Sequence, residues 1–179
     1  MSFLNRFRSP EKILEIAAKK EAELDKIRAD MASADWKYFE ETDQLTGQKS
    51  LIGKLKSKNR VDLSPPYNGG STLTISVSRH PREVIFRIDR GQIIYNIETA
   101  LNGPRFVTTA NCRLDDGRVF ILKGIRPESY STTEFSLENP AAFTMGIRKK
   151  ISLKVEILLH QDGLKVFQFN PSAMSNALY

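Results

Sequence analysis

Few residues in this 179-residue chain have a type and spacing that could do covalent or metal chemistry. Asn68-Gly69-Gly70-Ser71 carries the glycines of a phosphate-cradling loop. No lysine follows them, and the next residues alternate like a strand where a helix N-terminus would have to stand. Asp115-Asp116-Gly117 offers two carboxylates to a cation, but the further oxygen ligands calcium requires are missing and Arg118 is adjacent, so a hairpin turn is expected. Glu40 and Glu41 are consecutive rather than spaced across a cleft, which leaves glycoside hydrolysis without a carboxylate pair. Cys112 is the sole cysteine and excludes an intrachain disulfide or a thiolate zinc cluster. Its place in the run Phe106, Thr108, Ala110, Cys112, Leu114 marks a small buried apolar residue rather than a nucleophile. His80 and His160 lack a carboxylate or second histidine at ligand spacing and fall where turns or strand ends are expected. No serine occupies a nucleophile elbow. The expectation is a chain that is not an enzyme and has no cofactor or metal.

Binding chemistry has more material. Lys49, Lys54, Lys56, Lys58 and Arg60 occur in a stretch with no acidic residue. Such a run suits an exposed edge strand, where lysine discourages pairing with other chains, or a nucleic-acid-binding surface that contacts phosphates. Trp36, Tyr38, Tyr67 and Tyr95 lie near Lys37, Arg79, Arg82 and Arg90 in sequence, the composition of a single-strand nucleic-acid binder. Trp36 and Phe39 are expected to be core anchors. Residues 1 to 35 hold seven Lys or Arg and seven Asp or Glu, so the whole excess of six positive charges falls on the remainder. That asymmetry fits an acidic partner, and it is also an ordinary means of staying soluble.

These residues must be positioned by strands. Ile151, Leu153, Val155, Ile157 and Leu159 alternate with mainly polar residues up to Asp162-Gly163, a half-buried strand ending in a hairpin signal. Similar runs are predicted at 36–43, 48–59, 72–78 and 83–89, with Leu73, Ile75, Val77, Val84, Phe86 and Ile88 inward. Arg79-His80-Pro81-Arg82 should turn the third run into the fourth, and Ile93-Ile94-Tyr95 extends the sheet. Residues 98–105 read as a long connection before a hairpin of 106–114 with 118–123. Asn139-Pro140 caps a short helix reaching Lys150. Pro65 to Ser71 is predicted to be a loop, with Tyr67 and Asn68 as candidate partner-binding residues.

At the front, Ser9-Pro10-Glu11 has the grammar of a helix start, and the helix should run to about Ala34. Ile13, Ile16, Leu24, Ile27 and Met31 lie near one stripe. Lys20 interrupts the seam of a coiled coil. The stripe serves either packing on the chain's own β domain or docking and self-association. No apolar run approaches the roughly 20 residues that cross a bilayer. Glu11, Lys12, Glu15, Lys19 and Lys20 break the stretch a signal peptide would need, so a cytoplasmic or virion-associated location is expected.

Seven to nine short strands imply an antiparallel β-sandwich, with a flattened barrel as the close alternative. The domain spans residues 36–171 after a helical extension 1–35 and before a tail 172–179 without period. Trp36, Asp43, Gly47, Ser57-Lys58-Asn59, Pro66-Tyr67-Asn68-Gly69-Gly70, Arg79, Gly91-Gln92, Asp115-Asp116-Gly117, Phe135, Lys149 and Gly163-Leu164-Lys165-Val166-Phe167 form a further pattern. Across residues 36–174 it resembles a group of small β-rich proteins of proteobacteria and their phages, broadly similar to the type VI secretion accessory protein TagO. The resemblance implies a fold and transfers no catalytic residue. Many members of that group look exported, whereas this chain has a charged helix in place of the leader. The functional expectation is a non-enzymatic interaction or assembly module of a bacterium or phage, with residues 9–34 as its docking or oligomerising element. The alternative is a nucleic-acid binder using the basic run.

Overall fold

In the computed structural model the described residues are 35–179, apart from 43, 45, 46, 102, 173, 176, 177 and 179. The predicted helix with Ile13, Ile16, Leu24, Ile27 and Met31 lies outside them. Alternation drives the fold that is seen. Leu73, Ile75 and Val77 of β5 (Leu73–Ser78) and Val84, Phe86 and Ile88 of β6 (Glu83–Ile88) are buried, and the two strands pair as the predicted hairpin. β1 (Trp36–Thr42) and β2 (Lys49–Lys56) form another, and β11 (Leu153–Leu159) and β12 (Gly163–Phe169) a third. The turn of the third places Gln161 and Gly163 at positive φ, 67° and 69°, a conformation that suits glycine.

The expected mainly β, antiparallel fold is present, but in place of two separate sheets the strands form one continuous antiparallel sheet of ten strands. Its order is β1, β2, β5, β6, β10 (Glu134–Leu137), β9 (Val119–Ile125), β8 (Gly103–Leu114), β11 and β12, with β7 (Asn96–Ala100) paired to β8. The element that turns two layers into one sheet is β10, which pairs β6 on one side and β9 on the other. The sheet curls until its ends nearly meet. Lys58 N–H donates to Gln168 O at 2.7 Å, while Asn59 accepts from Gln168 N–H at 2.7 Å and donates to Val166 O at 2.8 Å. The Asn59 side-chain amide thus takes the place of a neighbouring strand along part of the β12 edge. Residues from both halves, including Leu55, Phe86, Phe135, Val155 and Phe167, share one core.

Three further expectations change. Residues 98–105 hold the hairpin of β7 with β8, where Gly103 sits at φ 105° and Thr99 opposes Pro104, instead of a long connection. The Gly-rich loop supplies a short strand β4 (Gly69–Ser71) that pairs with β3 (Val61–Leu63) in a small separate sheet. Ile93 makes only a single bridge, to Leu159. Past Pro171 the aperiodic segment contributes Met174 and Leu178 to the core, and Trp36 Nε1–H donates to Pro171 O at 3.1 Å. The short helix is present as α1 (Pro140–Ile147), capped by Asn139, whose side-chain Oδ1 accepts from Ala142 N–H at 3.2 Å.

Candidate functional site

Because side chains alternate across a strand, the register fixes what each half of the sheet shows on its outer face. On β9, β8, β11 and β12 one row reads Val119, Arg113, Lys154, Gln168 and the next Ile121, Asn111, Glu156, Val166. Leu158 opposes Leu164 one row further along the hairpin. Val119, Ile121, Leu158, Leu164 and Val166 are 39–69 % exposed. A polar strip through β8 and β11 is therefore bordered by aliphatic side chains in water. Within it Asn111 Nδ2–H donates to Glu156 Oε2 at 2.9 Å. Behind β9, Phe120 and Leu122 meet Ala142, Phe143 and Gly146 of α1 around a cleft of about 360 Å³.

The other half of the outer face forms a shallow groove of about 730 Å³ over β2, β5 and β6. Small residues make the depression, Ser50, Ser76 and Ser78, with Lys54 and Arg87 at one end and the turn at His80-Pro81 at the other. Its polar groups are engaged within the chain: Ser50 hydroxyl with His80 O, Ser78 hydroxyl with Pro81 O at 2.7 Å, Glu83 with the Ser136 hydroxyl at 2.8 Å, and Arg87 with Glu134.

The basic run is not an edge. β2 lies between β1 and β5, so the exposed edge belongs to β1. The expectation fails because β1 is held by its own aromatic anchor, Trp36, and takes the outer place in the order. The cations of the run are exposed but partnered. Lys49 faces Glu40 at 3.9 Å, Lys56 faces Asp89 at 3.5 Å, Lys58 faces Asp35 at 3.3 Å, Lys54 lies over the Phe39 ring, and Arg60 donates to Gly70 O at 2.9 Å. Phe39 points outward and is half exposed, against its expected core role. The four grouped aromatics do not share an open surface. Trp36 is buried, and Tyr38 and Tyr67 pack against the core. The face of Tyr95 is covered by the Arg126 guanidinium, which also lies over Phe106 and Tyr130. Burial pushes the Tyr95 hydroxyl up to about 12 against the pull of that guanidinium. Asn68 is exposed beside Tyr67, between β3 and β4, and its carbonyl accepts from Arg90 at 3.3 Å.

Cys112 is buried, and burial pushes its thiol up to about 12, so it stays protonated and unreactive near neutrality. His80 and His160 are exposed in turns, as expected. Asp115-Asp116-Gly117 is a hairpin turn, and Asp115 serves as a clamp: its Oδ1 accepts from Ile151 N–H at 3.1 Å and Ser152 N–H at 3.0 Å, and Lys150 sits 3.3 Å from Oδ2. Among the described residues no group of three His, Cys, Asp or Glu could hold a metal ion, and no helix is long and apolar enough to cross a membrane. The outward aliphatics of β9, β11 and β12 leave only a faint signal in the sequence, the breaks in strict alternation at Ile121, Leu158 and Val166. Comparison with protein-family models, curated proteins and solved structures gives no match.

Proposed function

We propose that this chain is a non-enzymatic protein-interaction module whose contact surface is the outer face of β9, β8, β11 and β12. The observation behind this reading is the set of five exposed aliphatics, Val119, Ile121, Leu158, Leu164 and Val166, bordering a polar strip on one rigid sheet. An aliphatic border around polar centres suits a protein partner, since apolar contact supplies affinity and the polar strip fixes register. The outward residues of a water-facing strand are ordinarily polar, and these are not. Residues 9–34 carry a second apolar stripe in the sequence and are assigned the role of docking or oligomerising element of the same module.

The test is photo-crosslinking in the cells that make the protein, with a benzophenone amino acid placed at position 121 or 164 and, as a control, at the exposed Lys37 of β1. Discrete crosslinked species at 121 and 164 that are absent at 37 are expected. Absence of any crosslink at both face positions sinks the assignment of the surface.

A further inference from the structure

Arg113 and Lys154 stand directly opposite one another on adjacent strands, both on the outer face. Like charges in such a register lie about 5 Å apart at Cβ and repel. Among the described residues neither cation has a carboxylate within 4 Å. Glu156, one row along β11, accepts from Asn111, and Asp115, in the turn that follows β8, is held by Lys150 and the backbone of residues 151 and 152. The Asp115 clamp also ties residues 150–152 to the turn between β8 and β9, where the exposed Asp116 stands two residues from Arg118. Beside Arg113 in register is the exposed Val119, and beside Lys154 is Gln168.

We infer that Arg113 and Lys154 bind a carboxylate presented by an acidic, partly apolar segment of a protein partner. A single carboxylate between a guanidinium and an ammonium relieves the repulsion and makes charge-assisted hydrogen bonds to both. Val119 and Ile121 next to the pair favour a peptide over a nucleic acid, because single-stranded nucleic acids are gripped by exposed aromatic faces. The exposed large aromatics among the described residues, Phe39 and Tyr130, are not on these four strands. This assignment rests on the interaction-module reading and names the chemistry of its partner.

The experiment uses the full chain and fluorescence anisotropy at low salt, with three probes: a labelled peptide of alternating Glu and Val, its Gln-for-Glu counterpart, and a short oligothymidylate. The acidic peptide should bind more tightly than the Gln peptide. The double variant Arg113→Gln, Lys154→Gln should weaken the acidic peptide by about tenfold or more, the loss of charge-assisted bonds. Its melting temperature should stay at or above that of the parent, since a repulsion has been removed, which separates lost binding from lost folding. Unchanged affinity in the double variant overturns the proposal, as does an oligothymidylate that binds more tightly than the acidic peptide and is released by the same variant. If the native chain ignores the acidic peptide while crosslinks form at positions 121 and 164, the cation site falls and the interaction face stands.

Discussion

Gly124 of β9 faces the core directly against the ring of Phe135 on β10. A Cβ built at Gly124 would overlap the ring edge at Cδ2 and lie 2.8 Å from Cγ and 3.0 Å from Cε2. The ring cannot retreat. Phe135 is fully buried and stacked on Phe86 with centroids 4.9 Å apart, and Phe86 is braced edge-on by Phe143 of α1 at 5.5 Å. Gly124→Ala therefore sets two effects against each other: relief of the glycine penalty within a strand, about 0.5–1 kcal/mol, and overpacking of a filled core, about 1–3 kcal/mol. The two ranges leave a net loss of about 0–2.5 kcal/mol, and because the overlap is with a braced ring the loss falls in its upper part, about 1–2 kcal/mol. For a chain of this size that lowers Tm by about 2–8 °C, read by circular dichroism. Gly146→Ala is the control: a Cβ there meets only the terminal methyl of Leu114 at 3.7 Å, an ordinary contact, so no loss is expected. In a Phe135→Leu background the ring edge is gone, and adding Gly124→Ala should be neutral or stabilising. A Gly124→Ala protein that melts higher than the parent, or that loses the same stability in both backgrounds, refutes the packing argument.

Two further outcomes follow from other contacts. Deleting residues 172–179 removes the buried Met174 and Leu178, worth about 1.5–3 kcal/mol each. The emission of Trp36, the sole tryptophan, should shift to the red and the unfolding midpoint in urea should fall, whereas an unchanged spectrum would mean the segment is not needed to cover it. Burial alone would raise the Asp115 carboxyl, but the N–H groups of Ser152 and Ile151 and the Lys150 ammonium hold it below the ordinary carboxylate range. A depressed value in the folded state means that the stabilisation is present above the unfolded value of about 3.9 and is lost as pH falls through the folded one. The stability gap between the parent and Asp115→Asn, followed by urea melts from pH 6 downward, should close in acid; a constant gap would show that the carboxylate charge contributes nothing.

Much of the strand set was legible because one face of each strand is buried and the other wet, the condition under which period two survives in a sequence. β5, β6, β11 and β12 satisfy it, and their turns carry the residues the turns require. The misses have physical causes. β10 has only four residues, too few for alternation to stand out, yet it joins the two halves of the sheet and so decides between two layers and one. β3 and β4 have three residues each and pair mainly with one another, so no long apolar face marks them. β7 buries little, with burial spread over its five residues, and its Asn-Gly signal was outweighed by the proline that follows. The order of strands is a long-range property. Whether a lysine-rich strand is an edge depends on whether another strand finds it, and here β1 does.

The same distinction separates the candidate surfaces. Lys49, Lys54, Lys56, Lys58 and Arg60 attract attention because they are close along the chain, yet folding brings carboxylates, a ring or a carbonyl to each, and exposed pairs of that kind are worth little either way. Arg113 and Lys154 are 41 positions apart and unremarkable in the linear sequence, but the register of β8 with β11 places them face to face, with no carboxylate in ion-pair distance of either among the described residues. Nearness in sequence gives charges of one sign a chance to be neutralised by whatever strand packs alongside. Opposition in register sets them side by side on neighbouring strands, where a carboxylate brought by a partner relieves their repulsion. A bound carboxylate gains most where two cations are already held together, since the cost of bringing them together was met when the sheet formed.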